Sequence, residues 1–106
     1  MNESFERGMQ AGMARMMREM HATAASGNPD ADFLAMMIPH HAGAVEMARL
    51  VLVHGRDPAT RRLAEDIIAS QTVEIAGMKQ RLALLARGSP AEPEFPALGG
   101  TRGPSR

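Results

Sequence analysis

Two methionines and two histidines fall within six positions, Met36 to His41 (MMIPHH), beside Pro39. Thioether sulfur and imidazole nitrogen suit Cu(I), imidazole also accepts Cu(II), and neither donor attracts Mg²⁺ or Ca²⁺, which want oxygen. Met36 with His40, and Met37 with His41, are spaced four residues apart, so on a helix each sulfur stands one turn from an imidazole. Met47 follows His40 by seven and prolongs the same ridge. Met78 later in the chain, and Met13, Met17, Met20 and His21 before it, approach this ridge if the helices that carry them pack antiparallel. The chain has no cysteine, which excludes thiolate sites, disulfides and cysteine nucleophiles and leaves methionine as the only sulfur donor.

Each feature also has a plainer reading. A methionine stripe is adaptable core in most helices, because Met fills irregular gaps. His40 could be a core histidine bonded to Gln71 or a carbonyl. His54, in the last turn of its helix, fits a dipole-complementing cap better than a ligand, and Arg61, Arg62, Glu65, Asp66, Lys79 and Arg81 read as a solvated face. The readings in competition are a Cu(I) or Ag(I) sequestration or transfer protein and a metal-free, Met-rich module that binds a partner helix or hydrophobic ligand. An enzyme is not expected. A di-iron centre needs Glu-x-x-His on facing helices, no glutamate here is followed by histidine three residues later, and HExxH is absent.

Three helices must position these groups. Glu3 to Ala25 carries an apolar face of methionine alone, with Met9, Met13, Met16, Met17 and Met20 within about 60° of Met13. Ser26 to Pro29 breaks the chain, and Asn28 followed by Pro29 has the cap-then-proline pattern of a helix start. The second helix runs to His54. Around His40, Phe33, Met36, Met37, Gly43, Ala44, Met47, Val51 and His54 lie within about 60°, and His41 lies about 100° away beside Leu34, Val45, Ala48 and Leu52. Both imidazoles are therefore expected to face neighbouring helices. Pro39 predicts a kink or local loosening just before them. Gly55 stops this helix as a C′ residue, Asp57-Pro58 starts a third, and that helix runs to about Arg87 with Leu63, Ile67, Ile68, Gln71, Ile75, Met78 and Leu82 on one stripe.

These elements predict an all-α protein: an antiparallel bundle of three long helices over residues 1–88. Residues 89–106 follow as an extended or disordered tail, since residues 88–106 hold four of the seven prolines and four of the ten glycines. Phe95 and Leu98 could dock that tail on the bundle. Methionine, at 10, outnumbers leucine, at 8, and there is no tryptophan or tyrosine. Formal net charge is zero, with 12 basic and 12 acidic residues, which argues against nucleic acid as a partner. No apolar run reaches the roughly 18 residues of a membrane span. The first twenty residues have no apolar h-region, so no signal peptide is expected within this chain.

The stretch DADFLAMMIPHHAGAVEMA, followed by AEDIIASQTVEIAGM, resembles the CopM-like family, small secreted or periplasmic bacterial helical proteins that carry a domain of unknown function (305). The resemblance covers about Asp30 to Leu85 and rests on Met37 to His41, Glu46 to Ala48, and Gln71 to Met78. It implies a ferritin-like helical bundle and, for some members, copper binding through Met and His with a role in copper tolerance. It implies a functional set of Met36, Met37, His40, His41, Met47 and Met78, with Gln71 and Glu74 as supporting groups, and a copper donor or acceptor protein as a partner. It also implies a periplasmic or secreted location. A ferritin-like bundle has four helices, so the three found here predict completion by the tail or by a second chain in a homodimer.

Overall fold

A computed structural model, which describes residues 2–87, resolves into three helices with no strand among those residues: α1 (Glu3–Ala22), α2 (Pro29–His54) and α3 (Pro58–Ala86). The fold is the all-α, antiparallel three-helix arrangement that the periodicity implies. The tail, with Phe95 and Leu98, lies outside the described residues.

Local chemistry sets the helix ends. Asn28 Oδ1 accepts from the N–H groups of Asp30 and Ala31 at 3.0 and 3.3 Å, with Pro29 in the first turn of α2. Asp57 Oδ2 accepts from the Thr60 N–H at 2.9 Å, and Asn2 Oδ1 accepts from the Phe5 N–H at 2.8 Å. These side chains serve N–H groups that the helix itself cannot satisfy. α1 stops three residues before the expected Ala25 because Thr23 takes the Met20 carbonyl, its N–H donating at 3.4 Å and its hydroxyl at 2.8 Å. The chain then turns through Gly27, whose φ of 89° disfavours any residue with a Cβ. Ser26 donates both its N–H and its hydroxyl to Asp32 Oδ1.

α2 runs through Pro39 as one helix, as expected, and the ring removes the N–H that would serve the Ala35 carbonyl. Two expectations change. Gly55 is the C-cap itself, at φ −79°, rather than a C′ residue. Arg61 is not part of the solvated face: its Nη1 donates to the carbonyls of Leu52 at 2.7 Å and Gly55 at 3.1 Å. Those carbonyls lie at the end of α2, where the negative pole of the helix favours a cation.

α2 is the central helix. α1 packs on it through Gly8 against Leu50, Gly12 against Glu46, and Met16 against Gly43; α3 packs on it through Glu74 at His41 and Arg61 at Leu52. Gly43, Glu46 and Leu50 lie about half a turn around α2 from His41 and Leu52, so the flanking helices sit on opposite sides and do not touch each other. The result is a single layer measuring 51 × 30 × 15 Å, little thicker than one helix with its side chains. Among the described residues only Val45, Ala48 and Ala64 form a buried apolar core, and no large side chain is fully buried.

The contacts also fix which way each flanking helix is mounted. Met16 covers Gly43, which neighbours Met36, His40 and Met47 on the α2 wheel, whereas Arg15 pairs with Glu46, on the side of Ala42 and Arg49. Met9, Met13, Met17 and Met20 therefore share the face of Met36, His40 and Met47. On α3, Leu63, Ile67 and Met78 share the side of Glu74, and the His41 contact puts them on that same face.

A methyl built at Gly43 falls 2.6 Å from Met16 Sδ and 3.3 Å from Met16 Cβ. Gly43→Val is expected to destabilise the protein by about 2 kcal/mol through overpacking, with Met16→Ala in the same chain restoring part of the loss in thermal denaturation. Asp57 is held below the ordinary aspartate value of 3.8 by the Thr60 hydroxyl and N–H, and Asp32 is held below it by Ser26. A carboxylate with a depressed folded pKa contributes stability that is complete above its unfolded value and lost as pH falls through its folded one. Melting temperature should therefore decline below pH 3.8, and Asp57→Ala, lower throughout the neutral range, should show a shallower acid decline.

Candidate metal centre

His41 is the histidine that the fold encloses. Its side chain retains 16% exposure and its Nε2 lies 2.7 Å from Glu74 Oε1. An ionised carboxylate only accepts, so the Nε2–H donates, and in the neutral ring the lone pair is then left on Nδ1. Among the described residues, that Nδ1 is buried and has no hydrogen-bond partner. Gln71 Oε1, one turn before Glu74 on α3, is also buried without a partner. An unsatisfied buried polar atom costs about 1–3 kcal/mol, and native interiors rarely tolerate one without a reason.

His40 departs from expectation. It is exposed, because its strip of α2 lies between the two flanks that α1 and α3 occupy. Its ring is tilted 57° to that of His41 with centroids 6.1 Å apart, and among the described residues it makes no hydrogen bond to Gln71 or to a carbonyl. His54 behaves as a structural residue: Asn2 Nδ2 lies 3.1 Å from its Nδ1, and Phe5 meets its ring edge-on at 5.9 Å. Because the Asn2 oxygen is engaged by the Phe5 N–H, the amide NH₂ donates to His54, which ties the start of α1 to the end of α2.

Antiparallel register determines which sulfurs come level with His41. Met16 at Gly43 sets Met17 level with the histidine pair along the axis and Met20 one turn further, close to the level of Met37. Glu74 at His41 sets Met78 one turn further along α3, also level with Met37. Met37, Met20 and Met78 are half-buried, whereas Met17 and Met36 remain exposed, as does His21 near the end of α1. Met47 and Met13 belong to a separate station: a straight helix carries Met47 about 10 Å along the axis from His40, too far for one ion to bind both it and Met36.

Among the described residues, no three His, Asp or Glu side chains converge where an ion could sit. The Arg15–Glu46 ion pair, on the opposite face, joins residues 31 positions apart that no local pattern links.

The comparisons with known proteins bear on this arrangement. The model of the family described as "Domain of unknown function (DUF305)" matches residues 1–82, spanning all of α1 and α2 and most of α3. The chain belongs to this family. It is also similar to "Uncharacterized protein L153" of Acanthamoeba polyphaga mimivirus, at 42% identity over 53 residues, which is 50% of this chain and 35% of that protein. The matched stretch thus spans about a third of the viral relative. No helix among the described residues is long and apolar enough to cross a membrane.

The His41–Glu74 contact makes a specific spectroscopic prediction. In mildly alkaline solution, long-range ¹H–¹⁵N correlation should show His41 protonated on Nε2 with an unprotonated Nδ1, and Glu74→Ala should yield a mixture of tautomers. An Nδ1–H form in the unmodified chain would contradict this geometry.

Proposed function

We propose that this protein is a non-enzymatic Cu(I)-binding protein, able also to take Ag(I), that sequesters or transfers the ion through a Met/His site on α2. The observation that carries the reading is the buried, unpartnered Nδ1 of His41. Its ring is oriented from the far nitrogen by Glu74, the arrangement by which a carboxylate fixes the tautomer of a metal-binding histidine. Met37 lies one helical turn away, with Met20 and Met78 brought level by register and with Met17, Met36 and His40 at the open side. Neutral imidazole and thioether match Cu(I) and Ag(I), while Zn²⁺ prefers thiolate, imidazole and carboxylate sets.

The resemblance to CopM-like proteins supports the same reading and extends it to a ferritin-like bundle, a periplasmic or secreted setting, a role in copper tolerance, and exchange with a copper donor or acceptor protein. An exposed rim of Met17, Met36 and His40 around a more enclosed His41 suits exchange, since an incoming ligand could reach the ion from the open side. The exposure of Met13, Met17 and Met36 also fits a metal-free module whose sulfur face binds a partner.

Anaerobic titration of Cu(I) against a chromophoric chelator, with Zn²⁺ in parallel, separates these readings. The expected result is whole-number Cu(I) uptake that outcompetes the chelator, with His41→Phe and Met37→Leu each weakening binding at least tenfold while far-UV circular dichroism stays unchanged. Equal retention of Zn²⁺, or full Cu(I) affinity in the His41→Phe, Met37→Leu double variant, would reject the copper site.

A further inference from the structure

Sulfur in this chain is carried by 10 methionines and no cysteine, and the fold grades their access to solvent. Met13, Met17 and Met36 are 48%, 45% and 41% exposed, whereas Met9, Met16, Met20, Met37, Met47 and Met78 are half-buried. None of the described methionines belongs to the buried core of Val45, Ala48 and Ala64. We infer that Met17 and Met36 are sites of reversible oxidation by peroxide, and that their conversion to sulfoxides takes the metal site out of use while the fold stays intact. The effect on metal rests on the Cu(I) reading above; the oxidation itself does not.

The chemistry needs only hydrogen peroxide as oxidant. A thioether lone pair attacks one peroxide oxygen, the O–O bond breaks, and the hydroxide released takes the proton from the transferred oxygen and leaves as water. Sulfur loses two electrons to the peroxide, and the sulfoxide formed is returned to thioether by reductases specific for each epimer. Position gives the reaction its consequence. Met17 lies level with the histidine pair along the axis, and Met36 stands one turn from His40, so both sulfurs belong to the open side of the site. Their sulfoxides present a polar oxygen where Cu(I) and Ag(I) favour soft sulfur. Exposure also explains why the fold survives, since an oxygen added to a side chain that already faces water is solvated rather than buried. Met16 is the contrast: its sulfur packs directly over Gly43, so oxidation there would crowd the α1–α2 contact. Met13 is as exposed as the rim residues but stands at the separate station near Met47, which makes it an internal control.

The full, metal-free chain is treated with rising amounts of hydrogen peroxide and its sulfoxides are located by peptide mass mapping. Met13, Met17 and Met36 should gain oxygen several-fold faster than Met16, Met37 and Met78, with far-UV circular dichroism unchanged. Loading with Ag(I) beforehand should slow oxidation of Met17 and Met36 but not of Met13. In Met13→Leu, which confines fast oxidation to the rim, peroxide should weaken Cu(I) binding at least tenfold against a chromophoric chelator, and treatment with both classes of sulfoxide reductase should restore it. Uniform oxidation of all the methionines, or loss of helicity as the rim is oxidised, would overturn the sulfoxide sites. Undiminished Cu(I) binding by the oxidised chain, or no protection by Ag(I), would overturn their effect on the metal. An untreated chain that takes up no Cu(I) would reject the copper reading and with it that effect, leaving the order of oxidation to decide the sulfoxide sites.

Discussion

The constraint on which the rest of the structure depends is that α2 has a helix on each flank and none on its two faces. Gly43, buried beneath Met16, lets α1 sit close on one side. Val45 and Ala48 on α2, with Ala64 on α3, are small enough to seat α3 on the other. Because these contact lines are about half a turn apart, α1 and α3 never meet, and the strip between them stays open. A bundle in which α1 and α3 touched would have buried His40 and Met36; this layer leaves both exposed and encloses His41 at its α3 edge.

That geometry divides the sulfur and imidazole groups by solvent access. His41 is held at its far nitrogen by Glu74, and its near nitrogen is buried. The exposed rim, with Met17, Met36 and His40, is open to solvent or to whatever covers the face. The opposite face, with Arg15 paired to Glu46 and with Arg49 exposed, is the polar one. The segregation follows from the helical period alone once the flanks are assigned: residues at about 100° steps cannot serve both faces.

The termini show how local chemistry and packing share the work. Asn28 and Asp57, each ahead of a proline, start α2 and α3 by interactions spanning two or three residues, and their carboxamide or carboxylate oxygens need no help from the rest of the chain. The other ends require distant partners. Arg61 holds the last carbonyls of α2 from the start of α3, and His54 accepts from Asn2 across 52 positions. Charge and hydrogen bonding between elements thus tie the antiparallel register that small residues make sterically possible.

The sequence by itself determined the three helices, their caps at Asn28 and Asp57, the methionine face of α1, and the placing of sulfur and imidazole one turn apart at Met37 and His41. All of these depend on spacing within a single helix, where geometry follows directly from residue number. It also carried α2 through Pro39 as a single helix to His54. It did not reveal that His40 faces outward while His41 faces Glu74, or that Arg61 caps α2 rather than joining a solvated face. Those outcomes depend on which arcs of α2 the neighbouring helices occupy. Periodicity identifies an apolar arc but not what lies against it, and a histidine's burial, its tautomer and the partner of its second nitrogen are settled only when helices far apart in the chain come into register.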